Sequence, residues 1–203
     1  MVLRLVDFRF PDLGRLLARQ SRCPVFEGPS QVRAYWEALR GAGSIPDRAQ
    51  LDPRGLSGVL DRVFLAESIG WGMVQVRIAG SAIAEAAGTD LRGLPLSFLF
   101  SANARPQLAE ALEPVITGQA VAELDLGGGS AGQIGQLLLL PLSDGPDRRL
   151  VLGCLGHAEA ALRPGRKLDV LCRREEQIYP NMPAAPPNQK RQVGHLTLIH
   201  ARD

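Results

Sequence analysis

Histidine and cysteine are scarce in this chain, and each scarcity closes a route. The three histidines, His157, His195 and His200, are spread over the last quarter of 203 residues, which leaves little for imidazole catalysis or haem ligation. The three cysteines, Cys23, Cys154 and Cys172, are odd in number, far apart and without a C-x-x-C. A disulfide framework or zinc knuckle does not fit them; reduced, structural thiols are expected. No run approaches the roughly 18 apolar residues of a membrane-spanning helix. The most apolar stretch, Leu137 to Leu142, has strand length and contains Pro141. Met1 to Phe10 is interrupted by Arg4, Asp7 and Arg9 and so lacks the apolar h-region of a signal peptide. The expected location is the cytoplasm.

What is present fits one ordinary domain with extensions. A composition of 45% hydrophobic and 22% charged residues supports a core for roughly 120 to 150 residues. The formal charge of +2 hides an asymmetry: residues 1–159 carry −2 and residues 160–203 carry +4. Clustered positive charge attracts nucleic acid, anionic lipid or acidic protein irrespective of fold, although a solvated extension is the plainer reading.

Residues 1–29 hold a short helix candidate at Leu13 to Gln20, end in Glu27-Gly28-Pro29 and read as an N-terminal extension. From Ser30 a helix is predicted, with Val32, Tyr35, Trp36 and Leu39 at i, i+3, i+4, i+7 and Gly41 beyond its end. Asp52-Pro53-Arg54-Gly55-Leu56 starts a short helical turn. Strands follow at Val63 to Glu67 and Met73 to Ala79, where Val74, Val76 and Ile78 alternate with Gln75 and Arg77. A short helix, Ala82 to Ala87, stops at Gly88. A longer one runs from Ala104 to Ile116, with Pro114 weakening its last turn. Three more strands, Ala120 to Leu126, Ile134 to Leu142 and Arg149 to Gly156, are joined by turn-forming segments. Residues 158–203 read as a basic, Pro-rich extension, with a linker at 180–188 and one edge strand at His195 to Ala201. The economical architecture is α+β: a five-stranded antiparallel sheet with helices on one face, an N-terminal flanking helix and an extended C-terminal tail.

The order and spacing of several segments resemble the bacterial PAS-like domain family of small stand-alone proteins. They are Tyr35-Trp36-Glu37-Ala38-Leu39-Arg40, Ile45-Pro46-Asp47-Arg48, Asp52 to Leu56, Val76-Arg77-Ile78-Ala79-Gly80-Ser81, Gly88-Thr89-Asp90-Leu91-Arg92-Gly93 and Leu150 to Gly156. The resemblance covers about residues 31–157. It implies a module that senses through a small pocket between sheet and helices, or that dimerises and docks with no ligand. Neither role needs catalysis.

The chemical motifs agree with that expectation. Gly127-Gly128-Gly129-Ser130-Ala131-Gly132 spells both G-x-G-x-x-G and G-x-S-x-G. Both sites need a helix after the loop, whereas a strand beginning at Ile134 is predicted here, so a Gly-rich hairpin is the cheaper reading. His195 and His200, five residues apart on a predicted strand, point to opposite faces and do not suggest a metal site with Cys172. Glu123 and Asp125 share one face of a strand and read as its wet side. Between Arg62 and Cys154 there is no histidine and no cysteine but Cys154 itself, which disfavours haem. Ser101-Ala102-Asn103-Ala104-Arg105 lacks the cysteine of the flavin-binding light sensors that the resemblance brings to mind. No cofactor, no metal and no enzymatic activity are expected.

The reading is thus a sensory or adaptor module in bacterial signal transduction, acting by small-ligand binding or protein-protein contact. Its candidate apolar ligand pocket is lined by Ile83, Leu99, Leu112 and Val115. Its expected assembly is a homodimer through the stripe Val32, Tyr35, Trp36 and Leu39, the other arrangement being that this stripe folds back on its own sheet. The alternative function is nucleic-acid or anionic-membrane binding through Arg163, Arg166, Lys167, Arg173, Arg174, Lys190 and Arg191 of the tail, which the interleaved Asp169, Glu175 and Glu176 disfavour.

Overall fold

Val32 and Trp36 lie one turn apart in the first helix among the described residues, α1 (Pro29–Arg40), and both are fully buried. The computed structural model describes residues 26–40, 45–128, 131–145, 148–157 and 164–178, with the backbone of 192–193 and 196–197. The helix candidate at Leu13 to Gln20, Cys23, the 180–188 linker, His195 and His200 lie outside the described residues. Pro29 is the first residue of α1, where its missing N–H costs nothing. Gly28 precedes it at φ +104°, a conformation and a close approach to Cys154 that favour glycine.

Two further helices, α2 (Ser81–Ala87) and α3 (Arg105–Ile116), sit on the opposite side of the sheet. In α3 the buried Leu108, Ala111, Leu112 and Val115 follow helical spacing, and the helix runs through Pro114. Beyond it the helix end is closed by Thr117 N–H on the Glu113 carbonyl (3.0 Å) and Gln119 N–H on the Pro114 carbonyl (2.8 Å).

The strands are β1 (Val63–Gly70), β2 (Met73–Ala79), β3 (Ala120–Gly128), β4 (Ala131–Asp144), β5 (Arg148–His157) and β6 (Asp169–Gln177). They form one antiparallel sheet in the order β2-β1-β5-β4-β3-β6. The five expected strands are all present. The sixth comes from the segment read as an extension: β6 pairs along β3 from Ala120↔Gln177 to Gly127↔Asp169. A separate pair, β7 (Gln192–Val193) and β8 (Leu196–Thr197), overlaps the expected edge strand at its start.

Both faces of the sheet are apolar, which explains the unbroken run from Leu137 to Leu140. One face carries Phe64, Val76, Leu124, Leu126, Leu137, Leu139 and Val151 beneath α2, α3 and the 3-10 turn Leu96–Leu99. The other carries Val63, Leu65, Leu138, Leu140, Leu142, Leu150, Leu152 and Cys154 beneath α1 and the 3-10 turn Pro53–Leu56. Gly153 lies opposite Phe64 on β1, and a Cβ there would overlap the Phe64 ring. Pro141 is tolerated because β4 has passed its last pairing with β3, Ala122↔Leu139. Its carbonyl accepts the Trp36 indole N–H at 2.8 Å.

The stripe on α1 therefore folds back on its own sheet. Val32 and Trp36, expected at a dimer interface, are 0% exposed within the chain, and that burial already removes their apolar surface from water. Tyr35 is half-buried and its hydroxyl both donates to the Asp52 carbonyl (3.1 Å) and accepts from the Asp52 N–H (2.7 Å). Leu39 is half-buried.

Candidate functional site

Residues 164–168, just ahead of β6, lie against the helical layer. Gly165 N–H bonds the Ala86 carbonyl (3.0 Å), Leu168 N–H the Leu99 carbonyl (2.9 Å) and Ser101 N–H the Leu168 carbonyl (2.9 Å). Leu168 is 1% exposed in the main core. Arg166 donates to the Gly128 carbonyl, and Lys167 donates to the Phe98 carbonyl (2.6 Å) with its ammonium 3.6 Å from the Phe98 ring centroid. Ser101 Oγ donates to Asp169 at 2.5 Å, where β6 begins.

Besides its ladder to β3, β6 is held by ion pairs. Among the described residues Asp125 is the one buried charge, at 5% exposure. Arg174 donates to its two oxygens at 2.6 and 2.7 Å, and Gln133 Nε2 adds a third bond at 2.9 Å. This fork satisfies a carboxylate that burial alone would penalise. The same carboxylate, by hydrogen bonding to the guanidinium, raises Arg174 above the usual arginine range. Two more pairs tie β6 to the layers on either side: Glu176 to Arg33 of α1 (3.0 Å) and Arg173 to Glu110 of α3 (2.8 Å). Arg33 also sits over the Trp36 ring, 5.8 Å from its centroid.

Two open clefts flank the strand. One, of about 260 Å³, is lined by Arg33, Val121, Glu123, Arg174, Glu175 and Glu176. The other, of about 250 Å³, is lined by Gln107, Glu110, Val170, Leu171, Cys172 and Arg173. Their charged groups are largely engaged with one another. Among the described residues no cluster of three His, Cys, Asp or Glu side chains is placed to hold a metal.

A comparison of sequence matches residues 27–156, from just before α1 into the end of β5, to the PAS domain family. The chain belongs to the PAS domain family. No protein of curated function matches it.

Within the PAS domain, the pocket candidates come together as core. Ile83 (1%), Leu99 (3%), Leu112 (1%) and Val115 (0%) are packed with Phe64, Leu91, Leu96 and Phe100; neither cleft is lined by them. The Gly-rich segment links two strands, with Gly128 paired to Ala131. Among the described residues no helix is long and apolar enough to cross a membrane. Asp125 is not on a wet side, as its alternation suggested, because β6 and Gln133 cover it. No local pattern announced the Asp125–Arg174 pair, whose members are 49 residues apart; an acid set between Leu124 and Leu126 was its one trace.

Proposed function

We propose that this PAS domain is a bacterial signalling module that works by binding and contact, without catalysis, and that β6 is the element through which its state is passed on. The observation that carries the reading is the anchoring of β6 to α1, to α3 and to β3 at once, through Glu176–Arg33, Arg173–Glu110 and Arg174–Asp125. A shift in either helical layer is felt at β6, which leads directly into the C-terminal segment. Contact is favoured over ligand uptake, because Ile83, Leu99, Leu112 and Val115 are already packed against core neighbours. A cytoplasmic setting belongs to the same proposal.

The reading of the tail as a nucleic-acid or membrane binder is disfavoured. Arg166, Lys167, Arg173 and Arg174 are each engaged within the chain, and an engaged cation has less to offer a phosphate. Arg163, Lys190 and Arg191 lie outside the described residues.

Hydrogen exchange with Asp125→Asn tests the coupling. Faster exchange is expected in β6, around Arg33 in α1 and around Glu110 in α3, with β2 unchanged. A change confined to β3 would sink the reading.

A further inference from the structure

The family match ends at residue 156, so β3 is the edge of the matched part of the sheet and β6 lies beyond it. The two strands contribute differently. Every residue of β3 but Glu123 is buried, whereas none of β6 is. Apart from Val170, which packs against the core, β6 adds to the sheet a backbone ladder and a set of ion pairs.

The ladder has a break. Asp125 pairs with Cys172 and Leu126 with Val170, so Leu171 is an extra residue with no partner on β3. On one side of this bulge, Asp169 and Val170 stay with Ser101 and with the buried Leu168. On the other, residues 172–177 are all exposed, and Ile178 ends the run with its N–H on the Gln119 carbonyl (2.8 Å) and its half-buried side chain against the core beneath α1. The part most readily lifted from β3 is therefore 172–177, with the chain still tethered at Leu168.

What the β3 edge asks of its occupant is narrow. Its main-chain groups pair with any extended segment, because ladder hydrogen bonds read no side chains. The selective feature is Asp125, whose side chain is 8% exposed against 43% for Arg174. Glu123, opposite Arg174, adds a second acid 3.7 Å from the guanidinium. Two acids repel a phosphate and call for a cation, and a fork onto both Asp125 oxygens at 2.6 and 2.7 Å suits arginine and not lysine.

We propose that the β3 edge is a strand-acceptor site: residues 172–177 are its resident occupant, and an extended segment of a partner protein, with an arginine placed as Arg174 is, replaces them. The inference rests on the reading of β6 above and names what takes the vacated edge. Tethering gives the resident strand an effective concentration on the order of millimolar. A partner at micromolar concentration therefore enters when the resident is loosened, as by a shift of Arg33 or Glu110.

Fluorescence anisotropy of a labelled peptide of residues 168–178, carrying Cys172→Ser, tests this on the full chain. Binding is expected to be about tenfold tighter to the Arg174→Ala chain than to wild type, because the resident has lost its fork while the acceptor keeps Asp125. On that variant, a peptide that also carries Arg174→Ala should bind about tenfold more weakly. Equal binding of the two peptides, or no binding to a folded Arg174→Ala chain at millimolar peptide, overturns the proposal. Hydrogen exchange of the wild type decides the case if that variant does not fold. The β6 amides bonded to β3 should exchange by local opening, about tenfold or more faster than those of β4 and β5; a single rate for all three strands, through global unfolding alone, overturns the proposal as well. Peptide entry without altered exchange around Arg33 and Glu110 in Asp125→Asn would overturn the coupling and keep the acceptor site, and coupling without peptide entry would do the reverse.

Discussion

The two edges of the sheet are finished in opposite ways. β6 closes one with charge: its residues from Leu171 to Gln177 are exposed, and beyond its ladder to β3 its hold on the fold comes from Asp125, Glu110 and Arg33 together with the buried anchor Leu168. β2 closes the other with a strap of backbone hydrogen bonds from Gly93–Leu94, yet leaves Ile69, Trp71, Met73 and Ile78 in solvent. An edge strand must be prevented from recruiting stray strands, and alternating charge or a covering segment each achieves that. At the β2 edge four large apolar side chains are left uncovered, against Leu171 on β6. The ionic edge joins segments of the chain to one another, whereas the β2 edge leaves its apolar side chains in solvent.

The largest expected effect comes from removing the ionic edge. A chain ending at Leu162 loses Leu168 and the whole β3–β6 ladder, so it should be destabilised by at least the roughly 2–5 kcal/mol of one core leucine. Urea unfolding against the full chain measures this; equal midpoints would make β6 an ornament. Asp125→Ala removes the fork's acceptor and is expected to cost about 1–3 kcal/mol, moderated because Arg174 can turn toward water. A loss within experimental error would mean that the ladder alone holds β6.

The cysteines sharpen the contrast between edge and interior. Cys172 on β6 is exposed, whereas burial pushes the Cys154 thiol up to about 12. A thiol reagent followed by mass spectrometry should modify Cys172 in the native protein and Cys154 only after unfolding. The sign of the pH effect follows. A raised thiol pKa leaves stability intact below the ordinary value near 9 and erodes it between there and about 12, where the unfolded chain releases its proton first. Ready labelling of Cys154 at neutral pH would mean that α1 does not stay seated. The smallest effect is expected at the apolar edge: Trp71→Ala should alter stability by no more than about 0.5 kcal/mol, as for other surface sites away from core and network. A larger loss in a monomeric sample would place Trp71 among the packed residues after all.

Much of the fold was legible where a period was clean. Met73–Ala79 is a strand with the expected bounds, although its alternation holds only through Val76: a register shift beside Arg77 leaves Ile78 exposed instead of buried with Val74 and Val76; the i, i+3, i+4, i+7 spacing on α1 marked its buried face. The spacing did not say what covers that face, and the Trp36 N–H found the Pro141 carbonyl, 105 residues away. β6 was missed because Asp-Val-Leu-Cys-Arg-Arg-Glu-Glu-Gln has neither alternation nor a buried residue inside it. Its strand character is imposed by pairing to β3, a tertiary effect that overrides local preference.

Composition and periodicity alone thus decided that this chain makes an α+β domain with one amphipathic helix ahead of a sheet, because backbone geometry converts apolar spacing directly into faces. Which apolar face is covered and which is left bare was decided only in three dimensions. Trp36 and Trp71 differ by 0% against 66% exposure because one lies over β4 and the other projects from a hairpin turn beyond the reach of α1. Burial is a property of what else arrives at the same place, and for Asp125 and Arg174 as for the two tryptophans, that neighbour is set by the fold.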